Sequence, residues 1–381
     1  MISPSFSYWE RTSFIDNADV IIIGSGLVGL SAALHLKKLR PLLKVLVLER
    51  GFLPSGASTK NAGFACFGTV SEQIDNINRS SEEEAMRLVA YRWQGLQRLR
   101  EKLGDDAIDY HQHGGHELFM DHEAEHAGVC MDQITQLNKL MQQAIGKPDI
   151  YSVADEKIAA FGLGGVRHLI YNPFEGQIDT GKMMRALLYK AYQSGVLVLN
   201  NCSISAIERE DQFIVLNTTQ GNFKASDVIL ATNAFAGQLY PELDLVPGRG
   251  QVLVTKPIPG LKLKGTYHFN KGYYYFRNID DRVLFGGGRN LDYKAEESYD
   301  FGHTETVKQQ LISYLNKVIL PGKNVEIDYW WSGIMGFGQE IAPIVKQLQP
   351  GIFCAVRCNG MGVAMGSLVG EEVAELLINC L

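Results

Sequence analysis

Three glycines spaced as Gly24-x-Gly26-x-x-Gly29 carry the clearest chemistry in this sequence. Gly24 permits a tight turn and Gly26 lets backbone approach a pyrophosphate. Gly29 lets a helix and a strand pack closely. Glu49 lies twenty positions after Gly29, where an acidic side chain hydrogen-bonds ribose hydroxyls. An acid there repels a 2′-phosphate, which disfavours NADP. Arg50, beside it, is a further candidate contact to the dinucleotide.

The flanking elements are those such a site requires. Val20 to Ile23 is an unbroken apolar run, as in a buried parallel strand. A helix opens on the glycines, with Leu27, Leu30, Leu34 and the pair Ala32 and Ala33 at helical spacing. Arg40-Pro41 ends it, because proline disfavours the helical conformation in the residue before it. A second apolar strand, Lys44 to Leu48, then delivers Glu49. The competing reading is a structural βαβ unit without nucleotide.

Two further stretches invite a flat or anionic ligand. Gly56 to Phe64 contains Ser58, Thr59, Lys60, Asn61, Ala62 and Gly63. So many small residues in a row suit close backbone approach to a planar cofactor better than a surface turn. Near the C-terminus, the strand Ile352 to Val356 leads into Gly360-Met361-Gly362-Val363-Ala364 and a helix from Ser367 to Leu377. A strand, a glycine turn and a helix N-terminus make an anion or dipole site. It lacks the lysine of a P-loop.

Composition bounds the function. A chain of 381 residues accommodates two domains. A net charge of −6 disfavours nucleic acid as a partner and mildly favours cationic small molecules. Six cysteines in a chain this long do not make a disulfide framework. Met1 to Asp16 has neither a basic n-region nor an apolar h-region, and no apolar run is long enough to span a bilayer. The expectation is a reduced, cytoplasmic protein.

The remaining chain supplies scaffold. Tyr8 and Trp9 lie on an N-terminal arm expected to dock on the body. Ser81-x-x-Glu84 fits a capping box. The helix after it runs to about Leu103, with Met86, Val89, Trp93, Leu96 and Leu103 on a core face. His111, His113 and His116 do not have zinc spacing and read as the start of a strand, so no metal is expected. Asp121 to Gly146 reads as a surface helix, and Asp179 caps another. Ile204 begins a short strand, and Asp227 to Leu230 is a buried strand ending in Ala231-Thr232-Asn233-Ala234. Gln251 to Thr255, Gly272 to Arg277 and Arg282 to Gly286 are strands, with Tyr273 and Tyr275 on one face and Tyr274 on the other. One more strand precedes Tyr329 to Gly333. Cys354 and Cys358 read as packing residues.

The nucleotide-binding pieces fall at the start, middle and end of the chain. That arrangement implies interleaved domains. The expected fold is α/β with an α+β second domain: a Rossmann-like domain of residues 1–85, 173–245 and 332–381, interleaved with an antiparallel β-sheet substrate domain of residues 86–172 and 246–331.

These motifs resemble the D-amino-acid-oxidase superfamily of FAD-dependent oxidoreductases, in the branch with glycine oxidase, sarcosine oxidase and γ-glutamylputrescine oxidoreductase. The resemblance is carried by the fingerprint with Glu49, the Gly56 to Gly63 loop and the strand ending Ala231 to Ala234. Pro247 to Gln251, Trp331-Ser332-Gly333 and Gly360-Met361-Gly362 complete it. It implies FAD, with the ADP half at Gly24, Gly26, Gly29 and Glu49. Ser58 to Gly63 would run beside the flavin, Ile204 would meet the adenine, and Gly360 to Ala364 would lie at the pyrimidine edge. Members that oxidise free amino acids often carry an arginine where this chain has Met335, which puts carboxylate capture there in doubt and leaves Arg277, Arg289 or Arg357 to substitute. None of Trp330 to Met335 is cysteine, so FAD is expected to be non-covalent.

The implied reaction is oxidation at the C–N bond of an amine or amino acid derivative. Hydride passes to flavin N5, and the imine hydrolyses. Lys60, Tyr275 and Arg357 are the catalytic candidates, though Lys60 and Arg357 read equally as ordinary surface charges. Phe64, Tyr273, Tyr275, Trp331 and Met335 are candidates to wall the substrate pocket or to pack. The competing classes are an NAD-linked dehydrogenase, an FAD-dependent 2-hydroxy-acid oxidoreductase and a non-catalytic dinucleotide-binding protein.

Overall fold

The computed structural model describes residues 6–380. Met1 to Ser5 and Leu381, the ends of the expected first and last nucleotide-binding segments, lie outside the described residues.

The apolar runs at Val20 and Val45 form the centre of a parallel-containing sheet. Its strand order is Ile344–Gln349, Ile352–Val356, Gly221–Leu230, Ala18–Ile23, Val45–Leu48 and Leu197–Leu199. The inner pairs are parallel, with Ile22 between Ile229 and Val47. Both faces are covered, which is why these strands read as continuous hydrophobic segments. The buried strand expected from Asp227 begins earlier, at Gly221. Its first half also pairs with the antiparallel strand Phe213–Thr218.

A second, largely antiparallel sheet runs in the order Ile327–Phe337, Val246–Thr255, Arg282–Gly287, Tyr274–Ile279, Thr266–Phe269, Gly115–Met120, Val166–Asn172 and Ser152–Val153. Alternation behaves as expected. Tyr274 enters the aromatic core and stacks on Phe269 with centroids 5.0 Å apart, whereas Tyr273 and Tyr275 face a cleft between the sheets. Tyr329 to Gly333 does not follow a strand but lies within Ile327–Phe337, so the expected boundary at 332 falls inside a strand.

Three helices tie the parallel-containing sheet together. The fingerprint helix spans Leu27–Leu39 and stops before Pro41. The long helix spans Glu82–Leu103, with Ser81 Oγ accepting from the Glu84 N–H at 3.2 Å. Its Leu96, Leu99 and Leu103 join the core of the parallel-containing sheet, so the expected boundary at 86 also falls inside a continuous element. The C-terminal helix spans Gly362–Cys380 and starts five residues before the expected Ser367. Tertiary packing overrides the weak helix propensity of its glycines. A Cβ at Gly370 would lie 2.5 Å from the Val28 carbonyl oxygen, so only glycine lets the two helices approach this closely.

Other expectations need correction. Tyr8 and Trp9 are 70% and 72% exposed and pack on each other, while Phe6 and Ile15 attach the arm to the body. The helix Ala124–Ile145 buries Ala127, Cys130, Leu137 and Met141, so it is part of a core rather than a purely surface helix. His116 is buried and stacks on Tyr267, and burial pushes its pKa down to about 4. No metal-holding cluster occurs among the described residues.

Candidate active site

The cleft between the sheets has a volume of about 1400 Å³. That exceeds the roughly 300–1,000 Å³ usual for one small ligand. The Asn61 loop and the Met361 turn, 300 residues apart in sequence, line this same cavity.

One end is built on the fingerprint. Gly24 (φ +104) and Gly26 line it, and a Cβ at Gly24 would lie 2.8 Å from the Ala231 carbonyl oxygen. Gly29 stands behind the wall. A Cβ there would lie 2.0 Å from the Gly24 carbonyl oxygen, so its role is to let helix and turn pack. Glu49 is buried in the wall. It accepts hydrogen bonds from the Ser25 hydroxyl at 2.8 Å and the Gly51 N–H at 2.8 Å. The Arg50 guanidinium lies 3.6 Å over the Phe235 ring. Ile204, Ala231 and Thr232 line the same end.

The small-residue loop folds as one helical turn, Ala57–Lys60. Ser58 Oγ accepts from the Leu27 N–H at 2.9 Å. Asn61 donates to the Ala57 and Ser58 carbonyls and accepts from the Gly63 N–H at 2.8 Å. Ser58, Lys60, Asn61 and Ala62 line the cleft; Thr59 and Gly63 do not. The Thr59 hydroxyl turns back to donate to the Pro54 carbonyl at 2.6 Å. Gly63 (φ +73) is wedged against Ile178 and Arg277, where a Cβ would lie 2.3 Å from the Ile178 carbonyl oxygen. These two residues, expected beside a cofactor, lie off the cleft lining and shape the loop.

The other end is an aromatic chamber. Phe64 meets Tyr275 and His268 edge to face, with centroids 5.6 and 5.0 Å apart. Tyr273 and Met335 also line it. Gly250 lines this end without a side chain, and a Cβ there would lie 2.9 Å from the Met335 methyl. Trp331 does not wall the chamber. Its indole N–H donates to the Lys60 carbonyl at 2.9 Å, holding the loop from behind. Lys60 extends its ammonium to 4.9 Å from the Phe301 ring.

Arg357 is not a cleft residue. It is buried (φ +67) and donates to the Asp244 carboxylate and to the Ala342 carbonyl. Arg277 is likewise spent on the carbonyls of Ala62, Ile178 and Asn278. Of the three arginines considered as carboxylate partners, Arg289 alone lines the cleft. His268 was missed from the sequence. The available signal was period-two alternation, since it pairs with Tyr275 across adjacent strands.

A family model described as FAD dependent oxidoreductase (DAO) matches residues 19–376. The chain belongs to the DAO family of FAD-dependent oxidoreductases. It is 24% identical to probable oxidoreductase OrdL of Haemophilus influenzae, covering 96% of this chain and 84% of the relative. It is 27% identical to γ-glutamylputrescine oxidoreductase of Escherichia coli, covering 94% and 83%. The solved structure of L-proline dehydrogenase from P. horikoshii superposes with a TM-score of 0.77 at 22% identity, covering 96% of this chain and 94% of that one.

A DAO-family chain calls for FAD, and the residues present fit it. Thr232 Oγ1 is buried in the cleft wall without a hydrogen-bond partner, as a group awaiting a polar ligand would be. Gly360, Met361, Gly362, Val363 and Ala364 all line the cleft, and the N–H groups of Gly362 and Val363 precede the first bond of a long helix. The aromatic rings of this chamber carry no charge. Burial raises the Tyr275 pKa to about 12 and lowers that of His268 to about 4, so both are neutral near pH 7.

Proposed function

We propose that this chain is an FAD-dependent oxidoreductase acting on the C–N bond of an amine or amino acid derivative, with FAD held non-covalently. The observation that carries the reading is the aromatic chamber, with its uncharged Phe64, Tyr275 and His268, opening onto the dinucleotide cleft. Bound flavin supplies the hydride acceptor. The chain's own residues do the rest. Phe64, Tyr275 and His268 exclude water, and their neutral side chains disfavour an ammonium, so the amine is held in its uncharged form. No side chain is then required to remove its proton during the chemical step.

Gly24, Gly26 and Glu49 hold the ADP half in this reading. The Lys60 to Ala62 loop and the Gly360 to Ala364 turn embrace the ring system. The C-terminal helix directs its positive end at the cleft, where negative charge on the cofactor is stabilised. Non-covalent binding is supported by the cleft cysteines. Burial raises the pKa of Cys358 to about 12 and that of Cys66 well above its ordinary value, leaving neither as a thiolate nucleophile. The parallel-containing sheet serves as the FAD domain and the antiparallel sheet as the substrate domain. The relative named for γ-glutamylputrescine, an amine derivative, supports the substrate class.

The test is an anaerobic screen of the purified holoenzyme, following flavin absorbance. Amines or N-alkyl amino acids should bleach the flavin, and acid precipitation should release FAD into the supernatant. Bleaching by 2-hydroxy acids alone would replace this reading with C–O oxidation.

A further inference from the structure

We propose that Thr69, Glu117, Ser71 and His126 form a path from the cleft to solvent, along which the substrate ammonium sheds its proton before oxidation. This rests on the amine-oxidising reading above and deepens it.

An alkyl ammonium has a pKa of about 10, near that of lysine, so the substrate arrives charged at pH 7. The chamber rings do not discharge it. Tyr275 stays protonated, and His268, with a pKa of about 4, is too weak a base. The proton needs another acceptor.

Glu117 stands beside the chamber. It pairs with His268 across adjacent parallel strands, so the two side chains leave the same face of the sheet. Gly68 and Thr69 form the partition. Both line the main cleft, and both line a second cavity of about 10 Å³ that Glu117 also lines. The Thr69 oxygen accepts from the Glu72 N–H at 3.3 Å, which leaves the hydroxyl proton for the Glu117 carboxylate. Glu117 Oε2 accepts from the Ser71 N–H at 3.2 Å, and the Ser71 hydroxyl is a further partner of the carboxylate. Oε1 is buried without a partner and so remains an open acceptor. The Ser71 hydroxyl in turn meets His126 Nε2 at 3.0 Å. His126 lies on the helix Ala124–Ile145 and is partly exposed, with the Phe119 ring packed edge-on against it at 5.9 Å.

Burial raises the Glu117 pKa from 4.5 to about 7, which suits a group that must both take and release a proton near neutrality. Its titratable neighbours do not replace it. Burial keeps the Cys130 thiol and the Tyr151 hydroxyl protonated near pH 7. Glu72 is paired with Arg92 at 2.6 Å. Glu175 accepts from the Phe67 and Gly68 N–H groups. Asp75 and Lys271 line the cleft itself.

The transfer balances without a further reagent. The ammonium gives one proton through the Thr69 hydroxyl to Glu117. Glu117 passes it to the Ser71 oxygen as the Ser71 hydroxyl proton moves to His126 Nε2. The imidazolium then releases a proton to solvent, and the neutral amine stays in the chamber.

The test is anaerobic flavin reduction by the holoenzyme from about pH 6 to 10, with n-butylamine, putrescine, N-methylglycine and proline as probes. The wild-type rate should rise through about pH 7. Glu117→Gln keeps an acceptor for the Ser71 N–H but takes no proton. It should reduce flavin roughly 100-fold more slowly at pH 7 and come within about threefold of wild type at pH 10, where the amine arrives neutral. Ser71→Ala should show the same pH-confined loss, and imidazole in the buffer should restore His126→Ala. Asp75→Asn removes a cleft carboxylate outside the path and should keep the wild-type profile. The infrared difference between wild type and Glu117→Gln should contain a protonated-carboxyl band at about pH 5 that is gone by about pH 9. Flavin content and melting temperature check folding, and Ser71→Ala and His126→Ala carry the comparison if Glu117→Gln does not fold. Losses equal at every pH, the same loss in Asp75→Asn, or no such infrared band would overturn the proposal. If amines bleach the flavin and the variants match wild type at pH 7, the path falls and the amine-oxidising reading stands. If no amine bleaches it even at pH 10, that reading falls and takes the path with it.

Discussion

Glu175 shows how one buried residue couples the cleft to pH. It accepts from the Phe67 and Gly68 N–H groups at 3.0 and 3.1 Å, fastening the loop that leads to the cleft-lining Thr69 and Glu72. Burial raises its pKa from 4.5 to about 7. Because the folded state favours the protonated acid, its contribution to stability is fully present below about pH 4.5 and is lost as pH rises through 7. Glu175→Gln resembles the protonated form and keeps an acceptor for both N–H groups. Its melting temperature relative to wild type should therefore climb between pH 4.5 and 7 and level off above. The full window corresponds to at most about 3 kcal/mol. A difference that stays constant across this range would refute the assignment. Glu175 reads in sequence as part of a turn, Asn172-Pro173-Phe174-Glu175-Gly176, and nothing local marks it as buried. Gly24, Gly26 and Glu49 are different. Their placement on a strand–turn–helix–strand unit at the cleft follows from backbone geometry and spacing, and it was legible at once.

At the scale of elements, the contact between the fingerprint and C-terminal helices decides where both N-termini point. Gly370→Ala sets two effects against each other. Alanine gains about 1 kcal/mol of helix propensity. Its Cβ, however, would meet the Val28 carbonyl oxygen at 2.5 Å and the Ala32 nitrogen at 2.8 Å, and backbone cannot step aside as a flexible side chain can. Overpacking of that kind costs about 1–3 kcal/mol. The variant should melt below wild type in chemical denaturation and retain less FAD. A more stable variant would mean that the helices tolerate separation. The boundaries of Leu27–Leu39 and Glu82–Leu103 were readable because proline and a serine cap are local signals. The start of the C-terminal helix was not, because its glycines weaken the local signal and the neighbouring helix supplies the stabilisation.

At the scale of the molecule, the cleft draws its walls from both sheets, so FAD should act as a bridge between them. A ligand that binds only the folded state at a hundredfold excess over its Kd adds about 2.7 kcal/mol of stability. Stripped protein should melt at a lower temperature than holoenzyme in calorimetry, and titration with FAD should raise the transition progressively. An FAD-independent melting temperature would contradict a cofactor shared by the two sheets. No helix among the described residues is long and apolar enough to cross a membrane. The sequence alone determined the dinucleotide fingerprint, the two-sheet organisation and the kinship with FAD-dependent oxidoreductases, because these rest on local glycine geometry, residue spacing and alternation. Only the tertiary structure decided that Arg357 and Arg277 are consumed by the protein, that Trp331 braces the loop from behind, and that His268 and Arg289 face the chamber. Those outcomes depend on which partners distant segments bring to a side chain, and spacing along the chain carries no record of them.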